Sequence, residues 1–497
     1  MSKNNKKKFS WKELNFSNKR VRYGSFSAIL VIAVVAVAIA LNALVVTLEA
    51  NNGWAIDMTP SNVFTFASQT VKTVAGLEQD VYIYSLLDSD ASDMGSTWVR
   101  QLLRKYDAES DHIKFTEVDP YDNPTWSLKY DAEGTGLSTG TIIVTNSDES
   151  RIRIIDGNDL FPYSYTTYTF DSFAGEQLVT GAIIYVTQYD TDVAWLLQGH
   201  SEPMLNQLGH VEKLLNNEGM DVKEVNLISN DYQLEKSDIL LVFNPTRDLS
   251  DDEYGIIRDF IARGGRLYIT LAPGMDYEAD MPNFNTLLKL VDIVPTNDLV
   301  MEGNSAMYYG YPYMLLPDIQ KHEITTALRN DNMKVLLPPT VSLQLSDAPK
   351  NGRYLYSLLE TSEASWSVAG YENNTNVATT KGEGDAAGPF AVAAGVEFYE
   401  SDNTEEIAKM VVVGNSAFIT ESSYANMQGN QDFFANGINW LRDEENSISV
   451  RAKSVASYSV NIASNAQLWL ICAIVVVVLP AVVLVAGLVV NIRRKHL

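Results

Sequence analysis

The sequence predicts an α/β protein in which two transmembrane helices flank an extracytoplasmic region built from two α/β domains. Three observations carry this reading. Two charge-free apolar runs, residues 25–48 and 466–490, bracket the chain. Lysine and arginine crowd the short tails beyond them, residues 1–24 and 491–497, whereas acidic residues dominate between them. Strand-like and helix-like segments alternate through the interior, most regularly over residues 193–271.

The apolar runs are long enough to span. At ~1.5 Å per helical residue they reach ~36–38 Å, against a hydrocarbon core of ~30 Å. The first holds the amide Asn42 near its distal end, and the second holds Pro480 near its middle, where a membrane helix accommodates a kink. A cleaved secretion signal is the alternative for the first run; its length and the presence of a second run favour an uncleaved anchor. Residues 1–24 carry eight Lys or Arg and the last seven residues carry three. Both tails are therefore expected in the cytoplasm of a bacterial cell, with residues 49–465 outside the cytoplasmic membrane.

The formal net charge is −25 for the whole chain, and residues 49–465 hold 26 basic and 61 acidic side chains. Such a surface repels nucleic acid and anionic bilayers. The single cysteine, Cys472, lies inside the second apolar run. The outer region therefore has no disulfide framework, zinc–thiolate site or cysteine nucleophile, and its stability must come from core burial.

Residues 49–190 form the first predicted domain. Thr59 or Ser61 opens a predicted helix with Val63, Phe66, Val71, Val74 and Leu77 on one side. Residues 81–87 read as a strand, Trp98, Leu102, Leu103 and Tyr106 mark a helix, and residues 113–118 are a second strand ending in the breaker-rich stretch 119–124. A hairpin over 140–145 and 151–155 and a helix over 174–187 follow. The order β-α-β, then ββα, is that of a thioredoxin-like fold, here without redox cysteines.

Residues 191–450 form the second, a doubly wound, flavodoxin/Rossmann-like parallel-sheet domain. Its strands are expected at 193–197, 222–227, 239–243 and 266–271. The helix carrying Leu205, Leu208, Val211, Leu214 and Leu215 is closed by Gly219. Ser250 and Glu253 form a capping box ahead of a helix that ends at Gly264-Gly265. Residues 390–399 and 409–413 read as further strands and 432–442 as a helix, followed by a linker over 451–465. The aromatic cluster Tyr308-Tyr-Gly-Tyr-Pro-Tyr313 suits either stacking on sugar rings or a packed loop.

A ligand of such a sheet would sit beyond the carboxyl ends of the strands. Gly199, His200, Ser201 and Glu202, with Asn244 and Pro245, are thus the candidate ligand or partner loop. His200 and Glu202 have the chemistry of an acid–base pair or of two metal ligands. A metal site needs three or four ligands, and His112, His210 and His322 lack the spacing. Gly199-His-Ser-Glu-Pro203 also lacks the second glycine of a nucleophile elbow. No catalytic, cofactor or metal-binding residue is assigned.

Leu197-Gln-Gly-His-Ser-Glu202, the 238–245 strand, Leu249-Ser-Asp-Asp-Glu253 and Gly264-Gly-Arg-Leu267 resemble the corresponding elements of Gldg-type proteins. So do Leu103-Arg-Lys-Tyr106, Val118-Asp-Pro120 with Asn123-Pro124, Gly175-Glu-Gln177, Val411-Val-Val-Gly-Asn-Ser416 and Asn436-Gly-Ile-Asn-Trp-Leu441, together with the terminal helix and its Arg493-Arg-Lys495 tail. That family, named for bacterial gliding motility, comprises extracytoplasmic auxiliary components of ABC-2 type transporters. Ser201 stands where the family usually has a second glycine.

The resemblance implies a non-catalytic accessory subunit working with a separate ABC ATPase and an ABC-2 type permease, with an envelope polymer or protein as substrate or further partner. The two apolar helices would dock on the permease, and Asn42 and Pro480 are the candidate contact positions. No Gly-x-x-x-x-Gly-Lys-Ser/Thr phosphate loop occurs in the chain. A stand-alone binding or adhesion module and a membrane-tethered hydrolase are the alternative readings.

Overall fold

The computed structural model describes residues 61–455 together with Asp57, Thr59 and helical positions 32–33, 35–37 and 39–40; it leaves gaps at 124, 132–136, 165–168, 171, 189–191, 230–231, 351, 372–378, 400–405, 428, 444–449 and 451. Among the described residues, no helix is long and apolar enough to cross a membrane. Most of residues 25–48 and all of 466–490, with Asn42 and Pro480, lie outside them.

The first domain runs α1 (Ser68–Ala75), β1 (Val81–Leu86), α2 (Met94–Glu109), β2 (Ile113–Val118), β3 (Ile142–Asn146), β4 (Ile152–Ile155) and α3 (Gly175–Thr187). The sheet order is β2-β1-β3-β4, with β1 and β2 parallel and β3 antiparallel to its neighbours. Val81, Ile83, Ile142 and Val144 alternate onto the face covered by Leu102, Leu103 and Tyr106 of α2 and Val179 and Ile183 of α3. Asp93 caps α2 by accepting the Ser96 amide at 3.0 Å.

The start of this domain differs from expectation. The helix begins at Ser68, not at Thr59 or Ser61. Thr59 Oγ1 accepts the Val63 amide at 2.7 Å and Asp57 accepts that of Phe64 at 2.7 Å. Lysine side chains take the carbonyls of residues 62–65. The backbone groups a helix would pair internally are thus bound by side chains instead.

The second domain contains β5 (Val193–Leu197), α4 (Gly209–Asn217), β6 (Asp221–Val225), β7 (Ile239–Phe243), α5 (Asp251–Ala262), β8 (Arg266–Thr270), α6 (Pro282–Leu290), β9 (Asp298–Met301), α7 (Glu323–Asn330), β10 (Arg353–Glu360), β11 (Trp366–Ala369), β12 (Ala391–Phe398), β13 (Ala408–Val413) and α8 (Asn430–Leu441). Five strands are parallel in the order β6-β5-β7-β8-β13, and antiparallel β12 and β10 extend that sheet. β7 and β8 are buried throughout, as a strand covered on both faces requires. Val211 and Leu215 of α4, Leu328 of α7 and Phe433 and Ile438 of α8 fill one face. Ile257 and Phe260 of α5 and Phe284 and Leu287 of α6 fill the other. β9 and β11 pair apart from this sheet, around Leu299, Met301 and Trp366.

The two domains meet along α3 and α4. Gly181 lies so close to the Asn217 carbonyl that a Cβ there would stand 2.1 Å from its oxygen. Arg153 reaches the Asn216 carbonyl at 3.4 Å, and Lys213 pairs with Asp159. Past α8 the chain returns to the first domain. Ala452 and Val455, in the segment expected to be a linker, pack on its core, and Lys453–Ser454 pairs with Ser172–Phe173.

Candidate functional site

The strand order of the parallel sheet reverses between β5 and β7, because the chain leaves β5 toward β6 on one side and later continues from β7 toward β8 on the other. Carboxyl ends flanking such a reversal form a crevice. Gly199, His200, Ser201 and Glu202 follow β5, and Asn244 and Pro245 follow β7. The structure brings the two loops together: the Thr246 amide donates to the His200 carbonyl at 2.9 Å. The backbone turns sharply here. Gly199 has φ 127°, which favours glycine, and Ser201 and Asn244 are left-handed at 69° and 54°.

His200 fills the crevice. Its ring is held between two carboxylates, with Nδ1 3.0 Å from Glu202 Oε1 and Nε2 3.2 Å from Glu253 Oε2. Glu202 Oε2 also accepts the His200 amide at 2.6 Å. Glu253 is anchored in turn, since its Oε2 accepts the Ser250 amide at 2.9 Å and the Ser250 hydroxyl at 2.7 Å, completing the capping box of α5. All three ionisable residues are buried, His200 being 3% exposed. Burial pulls the imidazole down, but the hydrogen bond and charge of Glu202, with Glu253, outweigh it and hold the ring above its ordinary value. Burial pushes the Glu253 carboxyl up, yet the Ser250 donors and His200 hold it below its ordinary value.

Each ring nitrogen faces a carboxylate, and the protonated ring donates to both, stapling the β5 loop to the first turn of α5. Neither ring nitrogen is left to take a proton from a substrate, and Glu202 and Glu253 are both occupied. Ser201, the one hydroxyl of the loop, is exposed. The group-of-three pattern that would hold a metal is absent among the described residues.

The other histidines lie elsewhere. His210 Nε2 contacts the Ile419 carbonyl at 2.7 Å and His112 Nδ1 lies 2.9 Å from Asp80. His322 caps α7 beneath Tyr356 and Trp440, and burial with the nearby Lys409 lowers it to about 4. In the aromatic cluster, Tyr309 and Tyr311 are exposed and the Tyr311 and Tyr313 rings stack at 5.4 Å. Sequence reasoning identified Glu253 as a helix cap and missed its second role as a partner of His200. The signal was available: a capping-box glutamate follows the strand adjacent to β5 and so opens its helix at the same end of the sheet.

Residues 193–439 match a family of auxiliary proteins described as "ABC-type uncharacterized transport system", and residues 60–157 match a domain of unknown function. No curated protein matches the chain. Among solved structures, it is similar to the mmIFT52 N-terminal domain, at 17% identity and a TM-score of 0.38 over 50% of this chain and 97% of that one. It is also similar to the NTD_N/C domain of alkylhydroperoxide reductase AhpF from Enterococcus faecalis, at 13% identity and a TM-score of 0.19 over 32% and 77% of the two chains. A cold-adapted β-galactosidase from Rahnella sp. R3 matches at 12% identity and a TM-score of 0.22 over 54% and 33%.

Proposed function

We propose that this chain, whose residues 193–439 match the family of auxiliary proteins described as "ABC-type uncharacterized transport system", is a membrane-anchored, non-catalytic accessory subunit of the Gldg kind. In this reading, residues 25–48 and 466–490 span the cytoplasmic membrane of a bacterium, both tails are cytoplasmic, and the thioredoxin-like and flavodoxin-like domains lie outside. A separate ATPase and an ABC-2 type permease drive transport, while the outer domains engage an envelope polymer, a protein or another subunit. Asn42 and Pro480 are the positions proposed to meet the permease.

One observation carries the non-catalytic part. The crevice where an α/β sheet of this order holds its ligand is occupied by His200, with both nitrogens committed to Glu202 and Glu253. The residues best suited to acid–base work are consumed in joining two secondary elements. The face left for recognition is the rim, where Ser201 and Met204 are exposed. Ile32, Val35, Val37 and Ile39, helical and exposed in the isolated chain, support the membrane reading, since an apolar helix surface of this kind favours lipid or a partner helix over water.

Purification of the tagged full-length protein in mild detergent tests the proposal. An ATPase and a multi-span permease should come down with it. Recovery of the chain alone from cells that make all three would overturn it. A hydrolase would instead lose an activity in a His200→Ala, Glu202→Ala double variant; the accessory role predicts loss of stability without loss of any turnover.

A further inference from the structure

We infer that Lys453 is a positioning residue that clasps the chain's entry into the folded region to its exit. Its Nζ lies 2.5 Å from Glu176 Oε2 and donates to the carbonyls of Asn62 at 3.2 Å, Val63 at 3.4 Å and Thr65. Glu176 is 2% exposed. Its other oxygen accepts the Ala67 amide at 2.6 Å and the Thr70 hydroxyl at 2.7 Å, which fixes the start of α1. One buried carboxylate at the head of α3 therefore holds the incoming segment through Ala67 and Thr70 and the outgoing one through Lys453. A second lysine strengthens the incoming side: Lys105 Nζ donates to the Phe64 carbonyl at 2.5 Å and lies over the Phe66 ring.

The ion pair is the polar centre of a small closure. Lys453–Ser454 pairs with Ser172–Phe173 just ahead of α3, and Ala452 and Val455 pack on the first core. The first domain thus holds both ends of the described region, and the second domain is inserted between α3 and this return strand. The clasp gives both ends one root. With the proposed membrane spans, on which this consequence rests, the two helices rise from one side of the first domain as a unit and the second domain stands away from the bilayer.

Hydrogen exchange on the full-length protein in detergent tests the clasp without reference to the membrane. Lys453→Met keeps the side-chain length and removes the charge, leaving Glu176 buried and unpaired. Exchange in residues 62–70 and 172–178 should rise roughly tenfold or more, while β7 and β8 keep their protection. Glu176→Gln should loosen the same two segments, and Lys453→Arg should restore most of the protection. Unchanged exchange at both ends in Lys453→Met overturns the inference. So does equal loosening of β7 and β8 in both variants, because the pair would then hold the whole fold rather than its ends.

A second arm separates the clasp from the membrane reading. Cysteines placed at Glu49 and Asn465 in a Cys472→Ala chain should both react with an impermeant maleimide from outside the cell, and a bifunctional maleimide should link them less in Lys453→Met than in the parent. Failure of outside labelling removes the spans and leaves the exchange result standing. Equal linking in both chains overturns the shared root.

Discussion

Replacing His200 by glutamine probes the staple between β5 and α5. Removing one partner of a buried ion pair costs about 3–5 kcal/mol, because the other charge is left uncompensated. Here two carboxylates are left, on Glu202 and Glu253, both under a tenth exposed. A glutamine amide recovers one neutral hydrogen bond of about 0.5–1.5 kcal/mol, so the net loss should be about 2–4 kcal/mol. That corresponds to roughly 30- to 1000-fold more frequent opening of the loop after β5.

Amide exchange over residues 198–204 and in β5, at pH near 6, measures this loss directly. The pH dependence adds a second signature. His200 is raised in the fold, so its contribution is complete below its ordinary 6.5 and is lost as pH rises through the folded value. Glu253 is lowered, so its contribution is complete above its ordinary 4.5 and is lost as pH falls through the folded value. The difference between parent and variant should therefore be largest between about pH 4.5 and 6.5 and shrink on either side. A variant within about 0.5 kcal/mol of the parent at pH 6, a change expected of ordinary surface substitutions, would refute the staple.

Three further predictions rest on other contacts. Gly181→Val puts side-chain atoms into the Asn217 carbonyl and should separate the two domains, at a cost of about 1–3 kcal/mol or more; small-angle scattering should record a larger radius of gyration, and an unchanged radius would count against a tight α3–α4 contact. Asn430→Ala leaves the Leu336 amide and the carbonyls of Leu336 and Phe418 without their amide partner in a fully buried site. About 3 kcal/mol of destabilisation is expected, from about 1–3 kcal/mol per unsatisfied group, read as a lower thermal midpoint for the second domain. Ser250→Ala removes the side-chain cap of α5 and the hydroxyl donor to Glu253, leaving the backbone amide donor in place; it should cost about 1 kcal/mol and raise the Glu253 pKa, followed by its carboxyl resonance during an NMR titration.

Much of the second domain was legible because each of its signals has a local cause. β7 is an unbroken apolar run covered on both faces. Ser250 and Glu253 specify their own helix start, and Gly219 at φ 79° and Gly264 at φ 85° end theirs. Val193–Leu197 and Ile239–Phe243 were placed at the bounds observed. In the first domain, the 113–118 strand was equally plain. Its opening was not, because the carbonyls of residues 62–65 are captured by Lys105 and Lys453, the latter 388 residues away from Thr65. No periodicity records a partner that distant.

The same limit governs the site. The loop after β5 was legible from its glycine and its position at a strand end, but the geometry that decides its chemistry is the bond from His200 Nε2 to Glu253, across 53 residues. Residues 295–410 were hard to read for a different reason. β9 and β11 are four residues each and pair with one another, so their register is fixed across a long separation and hardly at all by their own pattern. β10 was missed although its Arg-Tyr-Leu-Tyr-Ser-Leu-Leu-Glu sequence suits a strand; it pairs with β12 through register shifts that break simple alternation.

The insertion of the second domain into the first also sets an order of assembly during synthesis. Every strand and helix of the second domain has left the ribosome once α8 is made, so that domain can close its core early. The first domain gathers its buried core from residues 63–186 but is completed later: Ala452 and Val455 pack against that core from the far end of the chain, and the Glu176 carboxylate waits for Lys453. The half made first is therefore the half completed last, and its buried carboxylate is neutralised only as the final apolar run begins to emerge. A chain truncated before Lys453 should keep a folded second domain and loosen residues 62–70 and 172–178 of the first.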